Sequence, residues 1–309
     1  MSRPKVAVVG HVEWVRFARV PHVPQAGEVI HARDPFEEPA GGGAVAAVQL
    51  ARLAGESTLV TALGDDELGR RSVARLHELG VYVRTARRAA PTRTAVTLVD
   101  DDGERAITTF GSRLEPTGDD DELPWDELEG MDAVYFTAGD LGALRAARAA
   151  RVLVASPRAV DALGHGVPLD ALVLSEDDET ERHEAAHARD EAELIVSTEG
   201  ARGGVYRERG GGSGRWDPAL LTAPPPTNAV DSYGCGDSFA AGLTYALGLG
   251  MAPPDALNLA ARCGAVCLTG RGPYERQLTG RELGPQELGP QELGPGAGIP
   301  RIQNLTPRE

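Results

Sequence analysis

Short apolar runs alternate with longer segments of helical periodicity over most of the chain. The runs that predict buried strands are residues 6–9, 58–63, 133–136, 152–154, 171–174 and 194–196. The segments that predict helices lie near residues 44–54, 67–79, 141–150 and 179–193. Strands that alternate with helices are typical of an α/β fold. The pattern therefore predicts a doubly wound central sheet with helices on both faces.

Two regions depart from this alternation. Residues 13–36 and 93–110 show a period of two, and the second region surrounds the turn Asp101-Asp102-Gly103. Alternating polarity on either side of such a turn is typical of antiparallel strands. We expect these regions to form a small antiparallel sheet beside the main one.

The C-terminal end differs in composition from the rest. Glu-Leu-Gly-Pro recurs at residues 282, 287 and 292, and a Gly-Pro pair every five residues excludes a helix while offering little apolar area. We predict one domain over residues 1–280 and a disordered tail over 281–309, with a partner-binding tail as the alternative. The glycine-rich stretch 209–215 lies between strand-like runs and predicts a hairpin connection.

Charge and cysteine content limit the classes of function. With 31 Lys and Arg against 46 Asp and Glu, the formal charge is −15, which disfavours nucleic acid and anionic membranes as partners. No apolar run approaches membrane-spanning length. Cys235, Cys263 and Cys267 favour a reducing cytoplasm, and we interpret Cys263 and Cys267 as packing residues rather than as a metal site.

The segment Asp231–Phe239 carries the clearest chemistry. It leads into a helix with an apolar face at i, i+4 and i+8, and Gly234 and Gly236 let an anion approach the amides of the helix start. Asp237 lies in the first turn, where a carboxylate would repel a merely stored phosphate. A carboxylate there makes sense as the base for a hydroxyl that attacks a phosphoryl group. The alternative is that Asp237 only caps the helix.

The chain resembles the ribokinase-like (PfkB-type) carbohydrate kinases over about residues 5–275. The resemblance is carried by their C-terminal motif, which is similar to Asp231-Ser232-Tyr233-Gly234-Cys235-Gly236-Asp237-Ser238-Phe239. The resemblance implies an ATP-dependent kinase of ribokinase-like fold, with the small sheet as a lid. It implies that Asp237 is the catalytic base and that the amides of Gly234, Cys235 and Gly236 form the anion hole. Asp231 would bind a monovalent cation such as K⁺ or orient the loop.

The same resemblance implies a nucleotide site. Thr198-x-Gly200-x-x-Gly203 follows a strand and is similar to a family motif that lines this site. Asn258, on the helix after Pro253, resembles a position beside the adenine, and Ser232 belongs to the same site. The turn Gly64-Asp65-Asp66 to Gly69 resembles a structural turn of the family.

The sequence departs from the family where substrate should bind. Gly41-Gly42-Gly43 resembles the Gly-Gly substrate motif, but Ala44 to Ala47 follow without the usual Asn, and Glu13 and Val15 replace an Asn and an Asp. Lost hydroxyl partners imply a substrate other than ribose. The predicted substrate contacts are Glu13, Trp14, Gly41, Gly42, Arg93 and Asp140. Packing is the alternative for Trp14, and an exposed charge on the lid is the alternative for Arg93.

The acidic stretch Ser175-Glu176-Asp177-Asp178-Glu179 stands where the family carries Asn-x-x-Glu. The resemblance implies that Asp178 or Glu179 orients hydrated Mg²⁺. The alternative is a charged helix start.

Two other functions and a narrower substrate class remain open at this stage. A binding or regulatory protein of the same fold is suggested by the missing sugar contacts, and a nucleoside kinase is a narrower form of the main prediction. A nucleotide-binding oxidoreductase is disfavoured because no Gly-x-Gly-x-x-Gly follows the first strand. The resemblance also implies a small-molecule substrate and a homodimer formed through the lid.

Overall fold

The computed structural model describes residues 3–216 and 229–284. The strands in these residues are β1 (Val6–Val9), β2 (Glu13–Arg19), β3 (Arg33–Ala40), β4 (Ser57–Gly64), β5 (Val81–Arg88), β6 (Thr94–Val99), β7 (Arg105–Phe110), β8 (Ala133–Phe136), β9 (Val152–Ala155), β10 (Leu169–Ser175), β11 (Ala192–Thr198), β12 (Gly204–Glu208) and β13 (Ser213–Trp216). The α-helices are α1 (Gly42–Ala54), α2 (Glu67–Glu78), α3 (Leu141–Ala147), α4 (Glu179–Ala188), α5 (Cys235–Gly248) and α6 (Pro253–Cys267).

Nine strands form the central sheet, in the order β13-β12-β11-β10-β9-β8-β1-β4-β5. The seven neighbouring strands β11-β10-β9-β8-β1-β4-β5 pair in parallel. Strands β12 and β13 add an antiparallel hairpin beside β11, at one edge. The predicted α/β sheet and the predicted hairpin connection are both confirmed. Strand β5 was not predicted, because this edge strand carries charged residues and shows no continuous apolar run.

The two faces of the sheet build two separate cores. Val6 and Val8 on β1 point into a core that includes α1, α5 and α6, whereas Ala7 and Val9 point into a core that includes α3 and α4. Neighbouring residues on a strand face opposite sides, so a run that is apolar throughout fits a strand covered on both faces. Helices therefore flank both faces, as the alternation predicted.

The second sheet has the order β3-β2-β6-β7. Its hairpins β2–β3 and β6–β7 are antiparallel, as predicted, but β2 and β6 pair in parallel along six residues, Trp14 with Thr94 through Arg19 with Val99. The small second sheet is therefore confirmed, but its two hairpins join through a parallel pair rather than an antiparallel one. The two hairpins are formed locally, but their mutual orientation is set by where each one leaves the main sheet.

Element boundaries differ from prediction mainly at helix ends. Helix α4 stops at Ala188, a short 3₁₀ turn covers Arg189–Glu191, and β11 begins at Ala192. Charged residues continue the helical pattern, but the chain must turn there to enter the next strand. Helix α3 likewise ends at Ala147. The predicted tail lies outside the described residues from 285 onward, and within the described ranges no helix is long and apolar enough to cross a membrane.

Candidate active site

The start of α5 is held in a tight turn by glycine. Gly234 caps the helix with φ 81°, a left-handed conformation that glycine adopts without strain, and a Cβ there would lie 2.9 Å from Val45 Cγ1. Gly236 faces open space, since no heavy atom lies within 4 Å of where its Cβ would be. The Cys235 amide donates to Ser232 O at 3.4 Å. Among the described residues, the amides of Gly234 and Gly236 have no hydrogen-bond acceptor.

Asp237 lies in the first turn of α5, beside the start of α1. Its side chain is 12% exposed, and Oδ1 accepts a hydrogen bond from Arg158 Nη1 at 3.0 Å. A Cβ on Gly42 would lie 3.0 Å from the same oxygen. The predicted base, the predicted anion hole and the predicted substrate glycine are thus adjacent.

Arg158 connects Asp237 to a second buried carboxylate. Its Nε donates to Glu181 Oε1 at 2.7 Å, and Glu181 Oε2 accepts from the Ser175 amide at 2.8 Å. The pKa of Arg158 is raised, chiefly by the charge of Asp237 and further by that of Glu181. Sequence reasoning missed both residues. The available signal was that Glu181, Ala185 and Ala188 fall on one face of α4, which makes Glu181 an inward-facing acid.

The acidic residues predicted to act on magnesium lie at the surface. Asp178 caps α4, and its Oδ1 accepts from the amides of Thr180 at 2.9 Å and Glu181 at 3.2 Å. Glu179 is exposed in the first turn. The helix-start alternative therefore describes both residues as they stand, and their role at magnesium stays a prediction. The described residues contain no cluster of three or more His, Cys, Asp or Glu that could hold a metal ion.

Asp231 stabilises the loop that precedes α5. It is 1% exposed, Oδ1 accepts from the Tyr233 amide at 2.9 Å, and Oδ2 accepts from the Gly272 amide at 2.8 Å. Burial raises the pKa of Asp231 despite these bonds. The geometry fits the loop-orienting role, and cation binding by Asp231 stays a prediction.

Four predicted substrate residues, Glu13, Gly41, Gly42 and Arg93, lie together beside Asp237. Glu13 is 6% exposed, and its Oε2 lies 3.4 Å from Arg93 Nε. Burial raises the pKa of Glu13, and the charge of Asp237 raises it further, whereas Arg93 lowers it. His11, which sequence reasoning did not select, packs here too, because a Cβ on Gly41 would lie 3.0 Å from its ring.

Trp14 and Asp140 have other partners. Trp14 follows Glu13 on β2 and therefore faces the other side of the lid, where Nε1 donates to Glu37 at 3.1 Å and the Arg71 guanidinium lies 4.3 Å from the ring centroid. Asp140 caps α3, and its Oδ1 accepts from the Ala143 and Gly118 amides, both at 2.8 Å. The structure does not bring Trp14 to the Asp237 side, and it gives Asp140 a local structural role.

The residues predicted to bind nucleotide occupy several elements. Thr198 ends β11 next to Ser175 on β10, and Gly200 and Gly203 adopt positive φ in the turn that follows. Asn258 is exposed on α6. Ser232 contacts the lid, since its amide donates to Gly103 O at 3.0 Å and its Oγ accepts from Arg105 Nη1 at 2.9 Å. Their contact with nucleotide stays a prediction.

A family model described as pfkB family carbohydrate kinase matches residues 3–157 and 169–279. The chain belongs to the pfkB family of carbohydrate kinases. This match confirms the resemblance seen in the Asp231–Phe239 motif, and with it the prediction of an ATP-dependent carbohydrate kinase.

Individual relatives of this pfkB-family kinase agree with the assignment. It is 30% identical over 273 residues to an ATP-dependent ribose-1-phosphate kinase of Halopiger xanaduensis, which covers 85% of this chain and 91% of that protein. It is 31% identical over 288 residues to a fructokinase of Klebsiella pneumoniae, and this match covers 78% of this chain and 90% of that protein. A ribokinase-type structure from Agrobacterium tumefaciens superposes with a TM-score of 0.73 at 22% identity, over 91% of this chain and 96% of that one, which confirms the ribokinase-like fold.

Proposed function

We propose that this kinase transfers the γ-phosphoryl group of ATP to a hydroxyl of a sugar-type substrate, with Asp237 as the base. The observation that carries the proposal is the position of the Asp237 carboxylate in the first turn of α5, next to the unpaired amides of Gly234 and Gly236. Asp237 would take the hydroxyl proton while these amides stabilise charge on the phosphoryl oxygens. The anion hole is then formed by Gly234 and Gly236 more than by Cys235, whose amide already donates to Ser232.

Arg158 has a positioning role in this proposal. Its guanidinium holds the Asp237 carboxylate in place from one side and is itself fixed by Glu181 on the other. A planar guanidinium can bind two carboxylates at once, and it can also donate to a phosphoryl oxygen. Arg158 would fix the orientation of the Asp237 carboxylate and balance the negative charge of the phosphoryl group during transfer.

The donor nucleotide would approach across the ends of β10 and β11, where Thr198, Gly200 and Gly203 lie. Magnesium usually binds through one or two carboxylates together with substrate phosphates, so a protein cluster of three ligands is not required. Glu181 is the inward-facing acid nearest to this region, and Asp178 is the surface acid one turn before it. When bound, magnesium would neutralise charge on the phosphates of ATP.

One comparison tests the proposal directly. Wild-type protein is assayed for ADP release with ATP, Mg²⁺ and a panel of sugars, sugar phosphates, sugar acids and nucleosides, beside Asp237→Asn and a matched Asp255→Asn control in the exposed first turn of α6. We expect Asp237→Asn to lower kcat by about 10²–10⁴-fold, the usual contribution of a general base, and to retain ATP binding by calorimetry.

The same assay addresses the regulatory alternative and the nucleoside-kinase alternative. A wild-type protein that binds a panel member tightly but releases no ADP would be a binding or regulatory protein. Turnover confined to nucleosides would identify a nucleoside kinase. Retention of full turnover by Asp237→Asn would refute Asp237 as the base.

Exposed lid residues bear on assembly, and the free cysteines bear on location. Ile107 and Phe110 on β7 are 44% and 54% exposed, which supports a homodimer formed through the lid. The three cysteines of the chain are free, which supports a reducing cytoplasm as its location.

A further inference from the structure

Several buried polar atoms on the substrate side of Asp237 lack partners. His11 and Glu13 are 7% and 6% exposed, and within the described residues His11 Nδ1, Glu13 Oε2 and Arg93 Nε make no hydrogen bond. Glu13 Oε2 and Arg93 Nε form a 3.4 Å ion pair with each other but no hydrogen bond. Buried polar atoms are normally satisfied, so a group of unsatisfied ones beside Asp237 points to a ligand that supplies the missing bonds.

Three arginines from separate segments converge on this place. Arg93 precedes β6, Arg113 follows β7, and Arg158 follows β9. Arg113 Nη2 donates to Arg158 O at 3.0 Å, and Arg158 contacts Asp237. Burial lowers the pKa of His11, and Arg113, Arg158 and Arg93 lower it further, in that order. Burial and these three guanidiniums therefore favour the neutral form of His11.

The three guanidiniums differ in how many donors are already used. Arg158 binds two carboxylates and Arg113 binds Glu115 and a carbonyl, whereas the Arg93 side chain has, among residues 3–216 and 229–284, only its long contact with Glu13. The side chains of Arg93 and Arg113 are 19% and 30% exposed. Both residues flank the β6–β7 hairpin of the lid, with Arg93 beside Glu13 and Arg113 beside Arg158.

We propose that the substrate of this kinase carries an anionic group, a phosphate or a carboxylate, which Arg93 and Arg113 bind while Glu13 accepts a bond from a neighbouring hydroxyl. A neutral sugar would offer no charge for an under-satisfied buried guanidinium, whereas planar anions match its paired donors. This inference rests on the proposed function, because it names the substrate class of that same site.

The reaction balances without any additional reactant. The substrate hydroxyl oxygen forms a bond to the γ-phosphorus, and the bond between that phosphorus and the β,γ-bridging oxygen breaks. ADP leaves with the electron pair, and the hydroxyl proton passes to Asp237. The anionic group on the substrate takes no part in bond changes and serves only to bind and orient.

The test compares matched neutral and anionic substrates. Wild type, Arg93→Gln, Arg113→Gln and the control Arg84→Gln, whose arginine pairs with Glu127 at the surface, are assayed with ATP and Mg²⁺ on ribose, ribose 1-phosphate and ribonate. We expect wild type to prefer an anionic substrate by at least about 10²-fold in kcat/KM, since lost charged bonds cost this much. Each site variant should reduce that preference at least about tenfold, whereas Arg84→Gln should keep it.

The outcomes separate this inference from the proposed function. A preference for ribose 1-phosphate identifies the anion as phosphate, and a preference for ribonate identifies it as carboxylate. Efficient turnover of ribose with neither anionic compound used would overturn the inference and leave the kinase proposal standing. Lack of turnover of every compound in the wider sugar and nucleoside panel would instead count against the proposed function.

A second measurement covers the case in which a variant folds poorly. Inorganic phosphate and sulfate are titrated into wild type at saturating ATP and sub-saturating substrate. We expect competitive inhibition against the sugar-type substrate, and loss of this inhibition in Arg93→Lys, which folds with its charge kept but lacks the paired donors. Inhibition that is purely competitive with ATP would place the anion site at the nucleotide and refute the inference.

Discussion

Arg158 Nη1 lies 3.0 Å from Asp237 Oδ1, so the predicted base of this kinase is paired with a guanidinium that also binds Glu181. Arg158 follows β9, Asp237 lies in the first turn of α5, and Glu181 faces inward from α4. Replacement of Arg158 leaves two partly buried carboxylates without their shared cation, which is costly even after solvent screening is allowed for.

We expect Arg158→Gln to lower kcat by about 10²-fold, by the loss of charge stabilisation and of Asp237 orientation. Arg158→Lys should recover little of this loss, because one ammonium cannot replace a planar group that holds two carboxylates. Steady-state kinetics for both variants, with Arg84→Gln as control, measure kcat and KM separately. A change in KM alone for Arg158→Gln would contradict the orienting role.

Glu181 and Asp178 make different predictions for magnesium. Glu181→Gln should raise the Mg²⁺ concentration for half-maximal rate by about tenfold, since the inward-facing charge is lost. Asp178→Asn should leave both this concentration and the free energy of unfolding nearly unchanged, because Asn caps a helix as well as Asp does. Magnesium titrations of the two variants decide between them. The opposite ranking would restore Asp178 as the residue that acts on magnesium.

Gly42 leaves no room for a side chain beside Asp237, the predicted base. A Cβ at this position would lie 3.0 Å from Asp237 Oδ1 and 3.3 Å from Thr137 Oγ1. We expect Gly42→Ala to lower kcat/KM by at least about tenfold while the unfolding free energy changes by no more than about 1 kcal/mol, because alanine favours the helix. Gly130→Ala, where a Cβ meets nothing within 4 Å, is the control. Unchanged activity in Gly42→Ala would show that the site has more room than the structure indicates.

His11 should make the protein sensitive to acid. Burial lowers its folded-state pKa well below the ordinary value of 6.5, so below pH 6.5 the unfolded chain binds more protons than the folded one. Stability is then complete above pH 6.5 and falls as the pH drops toward the folded-state pKa, by at most about 1.4 kcal/mol per pH unit. Urea unfolding at pH 7.5 and 5.5 should show a smaller loss in His11→Gln than in wild type or in the exposed control His165→Gln. Equal losses in all three proteins would refute this assignment.

Features that depend on local chain geometry could be predicted from the amino-acid sequence. The spacing of Gly234, Gly236 and Asp237 defines a helix start that can bind an anion, and this is visible without a structure because helix caps are formed by neighbouring residues. The alternation of apolar runs and helical segments gave the α/β class for the same reason. Strand parity could also have separated Glu13 from Trp14, since adjacent residues on β2 face opposite sides.

The distant residues that complete the site could be identified only after the chain was seen folded. Arg158, Glu181, His11 and Arg113 lie in four segments without a shared motif. His11, Arg158 and Glu181 follow β1, β9 and β10, parallel strands that end at the same edge of the main sheet, whereas Arg113 follows β7 of the second sheet. The parallel pairing of β2 with β6 and the surface position of Asp178 were decided in the same way. Long-range packing sets these positions. The local sequence around a charged residue does not show whether its side chain is solvated or paired with a buried carboxylate.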